Sequence, residues 1–249
     1  MGRVVEDAFV CIDCETTGLD AEEDRVIEVA FACFKGKDVI DQYETLIDPE
    51  RPIPAASMEI HHITDAMVDG QPKIEQVLPD LLKKIGKRII IGHGVSFDVA
   101  LLVNAAKRHQ IPCKLEQNTI IDTLRLARLY GESPVNSLEQ LRQHFNIADE
   151  GAHRAMSDVL VNIEVFYQLT KQFRTTKEVL ERLKKPVRIP IMPLGPHKGR
   201  PMKEVPIEYL RWMANKKFDG DLLFSVRSEI KRRSKGGLFS QETNPFADL

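Results

Sequence analysis

Three closely spaced apolar segments begin the chain. Residues 8–15 (AFVCIDCE), 25–34 (RVIEVAFACF) and 39–47 (VIDQYETLI) are rich in Val, Ile and Phe, and short turns such as KGKD separate them. Strands joined this closely pair antiparallel. The Pro-rich stretch 49–54 (PERPIP) then breaks the sheet. Beyond it the apolar period lengthens. Ile74, Val77, Leu78, Leu81 and Leu82 share one helical face over 74–85, and RIIIGH (88–93) is a short buried strand. Ser96 is placed to cap a helix running to about His109, with Asp98 in its first turn. IIDTLRLARLY carries an apolar run into a helix. Ser137 and Gln140 form a capping box for 138–145, and a longer helix spans about 155–172. The pattern is that of a mixed α/β domain, three antiparallel strands first and strands alternating with helices afterwards.

The texture changes past residue 173. Thr175 and Glu178 cap a short helix that ends before Pro186, and residues 186–201 hold five prolines and two glycines. A helix starts near Pro206, and Leu223, Val226 and Ile230 repeat at helical spacing. The expected organisation is a first domain over 1–173, a linker over 174–191, a small basic helical module over 192–234 and a flexible tail over 235–249.

Charge sharpens this division. The whole chain carries a net −2, but residues 1–170 carry −11 and residues 171–235 carry +11. An acidic body joined to a basic segment suggests a polyanionic partner for the latter, with a solvated charged surface as the alternative. No stretch approaches the roughly 20 apolar residues that cross a membrane, and MGRVVEDAF has no apolar signal-peptide core. A soluble cytoplasmic protein is expected. Cys11 and Cys14 form a C-x-x-C, but strand positions three apart face opposite ways and no second Cys/His pair follows. Small buried hydrophobes in a reducing compartment are the preferred reading.

The first strand carries the candidate chemistry. Asp13 and Glu15 lie two residues apart, so on a strand they face one side, about 6.6 Å from each other. Two partly buried carboxylates repel and resist desolvation unless a cation offsets them. An oxygen-only donor set favours a hard ion such as Mg²⁺ or Mn²⁺. The other reading is a strand end with two solvated acids. HGVSFDVALL adds Asp98, and GAHRAMSD adds His153 and Asp158 at the start of a helix. Taken singly, each of these fits an ordinary helix-dipole charge, loop histidine or solvated acid.

In order, D-x-E-T-T-G-L, a later F-D and H-x-x-x-x-D resemble the DEDDh exonuclease superfamily, in particular the epsilon proofreading subunits of bacterial DNA polymerase III and their relatives. The resemblance covers residues 8 to about 172. IHHITDAMV (60–68) is similar to that group's I-H-G-I-T-x-x-M-V segment, with His62 where glycine is usual. The resemblance implies an α/β, ribonuclease H-like exonuclease fold and metal-dependent 3′→5′ removal of nucleoside 5′-monophosphates from DNA, in proofreading or repair. It implies that Asp13, Glu15, Asp98 and Asp158 hold two divalent ions, Mg²⁺ or Mn²⁺. Asp13 would bridge them, Glu15 and Asp158 would complete the first, and Asp98 would act on the second through water. His153 would be the general base, and Thr16, Thr17 and His61 would lie against the terminal nucleotide. One departure stands out: Gly94 replaces the asparagine usual after His93.

Residues 192–213 resemble a short bacterial module of unknown function, G-x-H/Y-K-G-x₆-P-x-x-Y-L-x-W. Lys198, Arg200, Lys203, Arg211, Lys216 and Lys217 beside Tyr209 and Trp212 could hold phosphates and stack a base; alternatively, the two aromatics form the module's core. The expected partners are a single-stranded or frayed 3′ end of DNA, or RNA for an RNA-trimming enzyme, and DNA polymerase subunits, with no membrane. A docking subunit of a polymerase or repair assembly is the reading from another class. It has no need of clustered acids. Discrimination of DNA from RNA depends on pocket shape, which the sequence does not display.

Overall fold

The computed structural model describes residues 3–239 except 5, 37, 134, 149–153 and 217, and backbone alone at 235–239. It divides into two units, Met1–Arg182 and Leu183–Leu249.

In the first unit, β1 (Ala8–Thr16), β2 (Val26–Lys35) and β3 (Asp38–Leu46) pair antiparallel. β4 (Ile89–Gly92) and β5 (Ile120–Asp122) add on the other side, β4 parallel to β1 and β5 parallel to β4. The order β3-β2-β1-β4-β5 puts β1 at the centre, which is why it is apolar on both faces until its last residues. Its even positions, Val10, Ile12 and Cys14, join one core with Val29 and Phe31 of β2 and the apolar stripe of α3 (Ile74–Ile85) and α4 (Ser96–Arg108). Its odd positions face α7 (Ala155–Thr170), where Phe9, Phe34 and Phe166 form an aromatic cluster with centroids 5.2–6.2 Å apart.

Smaller helices complete the unit: α1 (Ala55–His61), α2 (Asp65–Val68), α5 (Thr123–Tyr130), α6 (Leu138–His144) and α8 (Thr176–Leu183). The sequence pattern does not announce α1 and α2, because each buries a single residue, His61 and Val68, and so has no apolar stripe. Ser96 does not cap α4. The chain turns helical one residue earlier, at Val95 (φ −58°, ψ −12°), so Ser96 is already inside the helix. α8 occupies the middle of the stretch expected as a linker.

The second unit has its own core. Ile189, Met192, Met202, Val205, Leu210, Met213, Leu222 and Val226 pack together, contributed by the Pro-rich stretch, α9 (Ile207–Ala214) and α10 (Gly220–Phe239). Asp221 and Ser225 on α10 accept hydrogen bonds from the backbone N–H groups of Val187 (2.9 Å) and Ile189 (2.8 Å). The prolines thus hold an extended strip against a helix. α10 runs on to Phe239, past Lys235 where the tail was expected, since two glycines near a helix end weaken the ladder without removing a donor.

His62 ends α1 in the left-handed region, with φ 59° and its N–H donating to the Met58 carbonyl at 2.9 Å. This is the position where the resembling group has glycine, and a Cβ here is strained. His62→Gly is expected to stabilise the protein by a few tenths to about 1 kcal/mol, read as a higher urea midpoint with an unchanged slope. A lower midpoint would mean that the imidazole makes a compensating contact.

Candidate active site

The acids at the end of β1 are positioned by a match of two periods. Two residues along a strand advance about 6.6 Å, and four along a helix about 6.0 Å. Phe9, Cys11 and Asp13 therefore meet Phe166, Asn162 and Asp158 in successive layers of α7. Phe9 packs edge-on against Phe166 at 5.2 Å, and the Asn162 amide donates to Cys11 Sγ at 3.5 Å. In the last layer, ligand atoms of Asp13, Glu15 and Asp158 all lie within 4.8 Å of one another. Among the described residues they are the one such group of three or more acids, histidines or cysteines. Cys11 and Cys14 face opposite sides of β1, and burial raises both thiol pKa values, so they act as buried hydrophobes.

Asp98 approaches from the other face. It is buried in the first turn of α4 and accepts a hydrogen bond from the Cys14 N–H at 3.0 Å, which ties α4 to the strand between Asp13 and Glu15. His153 lies outside the described residues; it directly precedes Arg154, the N-cap of α7.

The electrostatics are those of crowded negative charge. Burial, followed by Asp98, Asp158, Glu15 and Glu28, raises the Asp13 pKa well above the carboxylate range. Burial, then Asp158, Glu28 and Asp98, raises Glu15 to about 8. Burial raises Asp98 to about 7 against the opposing pull of backbone hydrogen bonds. Asp13, Glu15 and Asp158, with ligand atoms gathered at one point and with Asp13 and Glu15 costly to ionise, form an all-oxygen donor set that fits a hard divalent cation.

Glu28 and Arg154 were not anticipated, although an acid inside the apolar run of β2 was a visible anomaly. Glu28 stands directly across the ladder from Glu15, a like-charge pairing that is unfavourable by itself. It is fully buried and receives Arg154 Nε at 3.0 Å and Nη2 at 2.5 Å, with the Ala155 N–H at 3.0 Å on its other oxygen. Glu44 lies 3.5 Å from the same guanidinium. Arg154 in turn accepts the Asp158 N–H on its carbonyl at 3.1 Å. Glu28 thereby holds the first turn of α7, and with it Asp158, against the sheet.

The turn after β1 is closed on itself. The Thr16 hydroxyl donates to the Gly18 carbonyl at 2.6 Å, and the Thr17 hydroxyl donates to Asp24 at 2.8 Å while accepting the Arg25 N–H at 3.0 Å. Ser57 on α1 donates to the Thr17 carbonyl at 2.9 Å. A Cβ on Gly18 would stand 2.5 Å from the Asp24 carboxylate, so only glycine lets the turn close this tightly. His61 is buried, its Nδ1 accepting the Ile63 N–H at 3.0 Å and its Nε2 without a hydrogen bond. Burial lowers its pKa, against the raising pull of the Thr16 backbone and Glu28. The polar groups of Thr16 and Thr17, and Nδ1 of His61, thus hydrogen-bond within the turn and its neighbours. Gly94 has φ +76°, a left-handed conformation that glycine and asparagine both accept, and its N–H donates to Asp122 at 2.9 Å. The departure from asparagine therefore keeps the backbone path.

A mixed five-stranded sheet between helices, with acids gathered where its central strand ends, defines the ribonuclease H-like exonuclease class. The comparisons agree. The profile of the Exonuclease (RNase_T) family matches residues 10–166. The DNA polymerase III subunit epsilon of Aquifex aeolicus is 32% identical over 171 residues, 68% of this chain and 84% of that protein. The PolC-type DNA polymerase III of Bacillus subtilis is 35% identical over 167 residues, 67% of this chain but 12% of that protein, so the chain spans only a small part of the PolC-type relatives. A solved structure of exonuclease X in complex with 5′ overhanging duplex DNA superposes with a TM-score of 0.58 at 25% identity, covering 71% of this chain and 99% of that one. The chain belongs to this exonuclease family, and residues 10–166 are a 3′→5′ exonuclease domain of its divalent-metal-dependent kind. Residues 179–229 are similar to a second family, described as a putative quorum-sensing-regulated virulence factor.

Two outcomes follow from the charges. An acid whose folded pKa lies above its unfolded value keeps a proton in the folded state that the unfolded chain releases, so stability falls as pH rises between the two values. With Glu15 at about 8 against 4.5 and Asp98 at about 7 against 3.8, the Tm of the metal-free protein in EDTA should fall from about pH 4 to about pH 8. Glu15→Gln should flatten the profile; a profile equally steep in the variant would exclude Glu15 as a source. Separately, Arg154→Met strands a buried Glu28 and should cost about 2–4 kcal/mol, somewhat below a fully buried pair because Arg154 is 42% exposed. The double variant Glu28→Gln, Arg154→Met should recover part of the loss in urea denaturation, as the uncompensated charge is gone.

Proposed function

We propose that the protein hydrolyses DNA from its 3′ end, releasing nucleoside 5′-monophosphates, in proofreading or repair. The observation that carries this reading is the convergence of Asp13, Glu15 and Asp158 at the end of β1, inside an exonuclease domain. In this reading two ions, Mg²⁺ or Mn²⁺, are held by the four acids. Asp13 would serve both ions, Glu15 and Asp158 the first, and Asp98 the second through water. When bound, such ions lower the pKa of a water and offset the charge of the phosphoryl oxygens in an in-line displacement.

The remaining work falls to the chain. His153, one residue before the α7 N-cap, takes the proton of the attacking water, a task suited to a group titrating near neutral pH. Arg154 and Glu28 hold the helix start on which Asp158 sits. Thr16, Thr17 and His61 shape the ground against the terminal nucleotide, and the closed turn offers backbone at close range. A single-stranded or frayed 3′ end is the substrate form, because the terminal nucleotide must reach a site at a strand end. The epsilon relative supports DNA polymerase subunits as partners and the bacterial cytoplasm as the place of action. No described helix is long and apolar enough to cross a membrane.

The test is the full-length protein with Mg²⁺ or Mn²⁺ on matched labelled DNA and RNA oligonucleotides. DNA should shorten stepwise from the 3′ end, and faster loss of the RNA would reassign the substrate. Asp13→Asn should lower the rate by far more than tenfold, the equivalent of about 1.4 kcal/mol in barrier, while its Tm in EDTA stays equal or rises because one like charge is gone. A variant retaining more than a tenth of the rate would remove Asp13 from the bridging role.

A further inference from the structure

The second unit carries an aromatic side chain that its core does not use. α9 buries Leu210 and Met213, while Trp212 stays 49% exposed. Tyr209 is partly buried against the core, so the reading of both aromatics as core holds for Tyr209 alone. Trp212 is nevertheless held in place. It stacks on Tyr209 with centroids 5.3 Å apart and planes 30° apart, and Phe218 meets it at 6.4 Å and 65°. His197 meets Tyr209 edge-on, with centroids 4.7 Å apart. Lys216 Nζ lies over the indole, 5.6 Å from its centroid. A large exposed ring fixed by its neighbours loses little freedom on binding, and the ammonium over its face, carried on a flexible stem, can move aside to meet the negative group that accompanies a base.

The charge of the two units selects the occupant. Residues 183–249 carry 14 Lys/Arg against 7 Asp/Glu, whereas residues 1–182 carry 21 against 30. We infer that Trp212 is a stacking platform for single-stranded DNA, with Lys216 pairing the adjoining phosphate. This deepens the functional reading given above and rests on it for the choice of DNA. Every base has a π-face, so such a platform binds without regard to sequence, and each stacked base is worth about 5- to 150-fold in affinity. Phosphate contacts around it make binding salt-dependent, with a log–log slope of about −0.7 per contact. A site of this kind lets the enzyme hold the strand independently of the acidic pocket, which by itself repels a polyanion.

Trp212 is the chain's only tryptophan, so its emission reports the site directly. The experiment titrates the full-length protein in EDTA, where no hydrolysis occurs, with oligo(dT), oligo(rU) and inorganic polyphosphate. Binding is followed by anisotropy of labelled oligonucleotides and by tryptophan emission. Oligo(dT) should quench the emission saturably, with a midpoint matching the anisotropy. Polyphosphate, which has charge but no bases, should leave the emission unchanged. Trp212→Ala should weaken oligo(dT) binding by about 5- to 150-fold, and Trp212→Phe should restore most of it. Oligo(dT) binding without quenching, equal quenching by polyphosphate, unaltered binding by the Trp212→Ala variant, or quenching by oligo(rU) alone would each overturn the assignment. Degradation of DNA with Mg²⁺ is scored separately on the same preparation. Quenching without degradation removes the exonuclease reading alone, and degradation without quenching removes the platform alone.

Discussion

The registry of β1 on α7 is the constraint on which the rest of the first unit depends. A strand repeat of about 6.6 Å and a helix repeat of about 6.0 Å stay in step for only a few layers. Here those layers run from an aromatic pair, Phe9 and Phe166, through a polar contact, Cys11 and Asn162, to the acids. Burial of the first layer supplies the energy that keeps the last one together. The small residues Ala30 and Ala32, opposite Asp13 and Cys11 on β2, leave room for the helix to approach. A slip of one residue in β1 would turn Asp13 and Glu15 into the apolar core on the other face.

The acids tolerate this crowding through countercharge and protonation. Arg154 is drawn toward Glu28, Glu44 and Glu15 at once, and among the described residues its side chain donates hydrogen bonds to Glu28, with Glu44 at 3.5 Å. It therefore neutralises the acid that stands behind the cluster. Asp98 is restrained by the Cys14 N–H from the opposite side. The pocket is preorganised for a cation in the ordinary sense: ligands are held by packing and hydrogen bonds that do not involve the cation.

The second unit shows the complementary economy. Too small for a deep core, it uses an extended Pro-rich strip to cover α9 and α10 and fastens that strip by two side chains of α10. Glu229 is buried there, and hydrogen bonds first from Arg232 and also from Arg233 pull its pKa to about 2. One buried acid thus anchors two arginines. Among the described residues the unit's other lysines and arginines and the indole of Trp212 are left exposed.

The strands β1 to β4, the long helices and the shared strand face of Asp13 and Glu15 were legible in the chain, because each rests on local rules. Apolar period separates strand from helix, and i, i+2 spacing puts two acids on one strand face. Family motifs then joined residues that lie 145 positions apart, as Asp13 and Asp158 do. The short helices α1 and α2, the helical turn at Val95 ahead of α4 and the internal hydrogen bonds of Thr16, Thr17 and His61 were not legible. They are settled by partners distant in sequence, such as Ser57 against Thr17. The same holds for Glu28: an acid inside an apolar strand is a visible oddity, but only folding shows that a guanidinium 126 residues away answers it. Sequence alone determined which residue types could gather at the strand end, since periodicity is a property of neighbours along the chain. Tertiary structure alone decided which charges face one another and which are paired, because desolvation and Coulomb energy depend on distance through space.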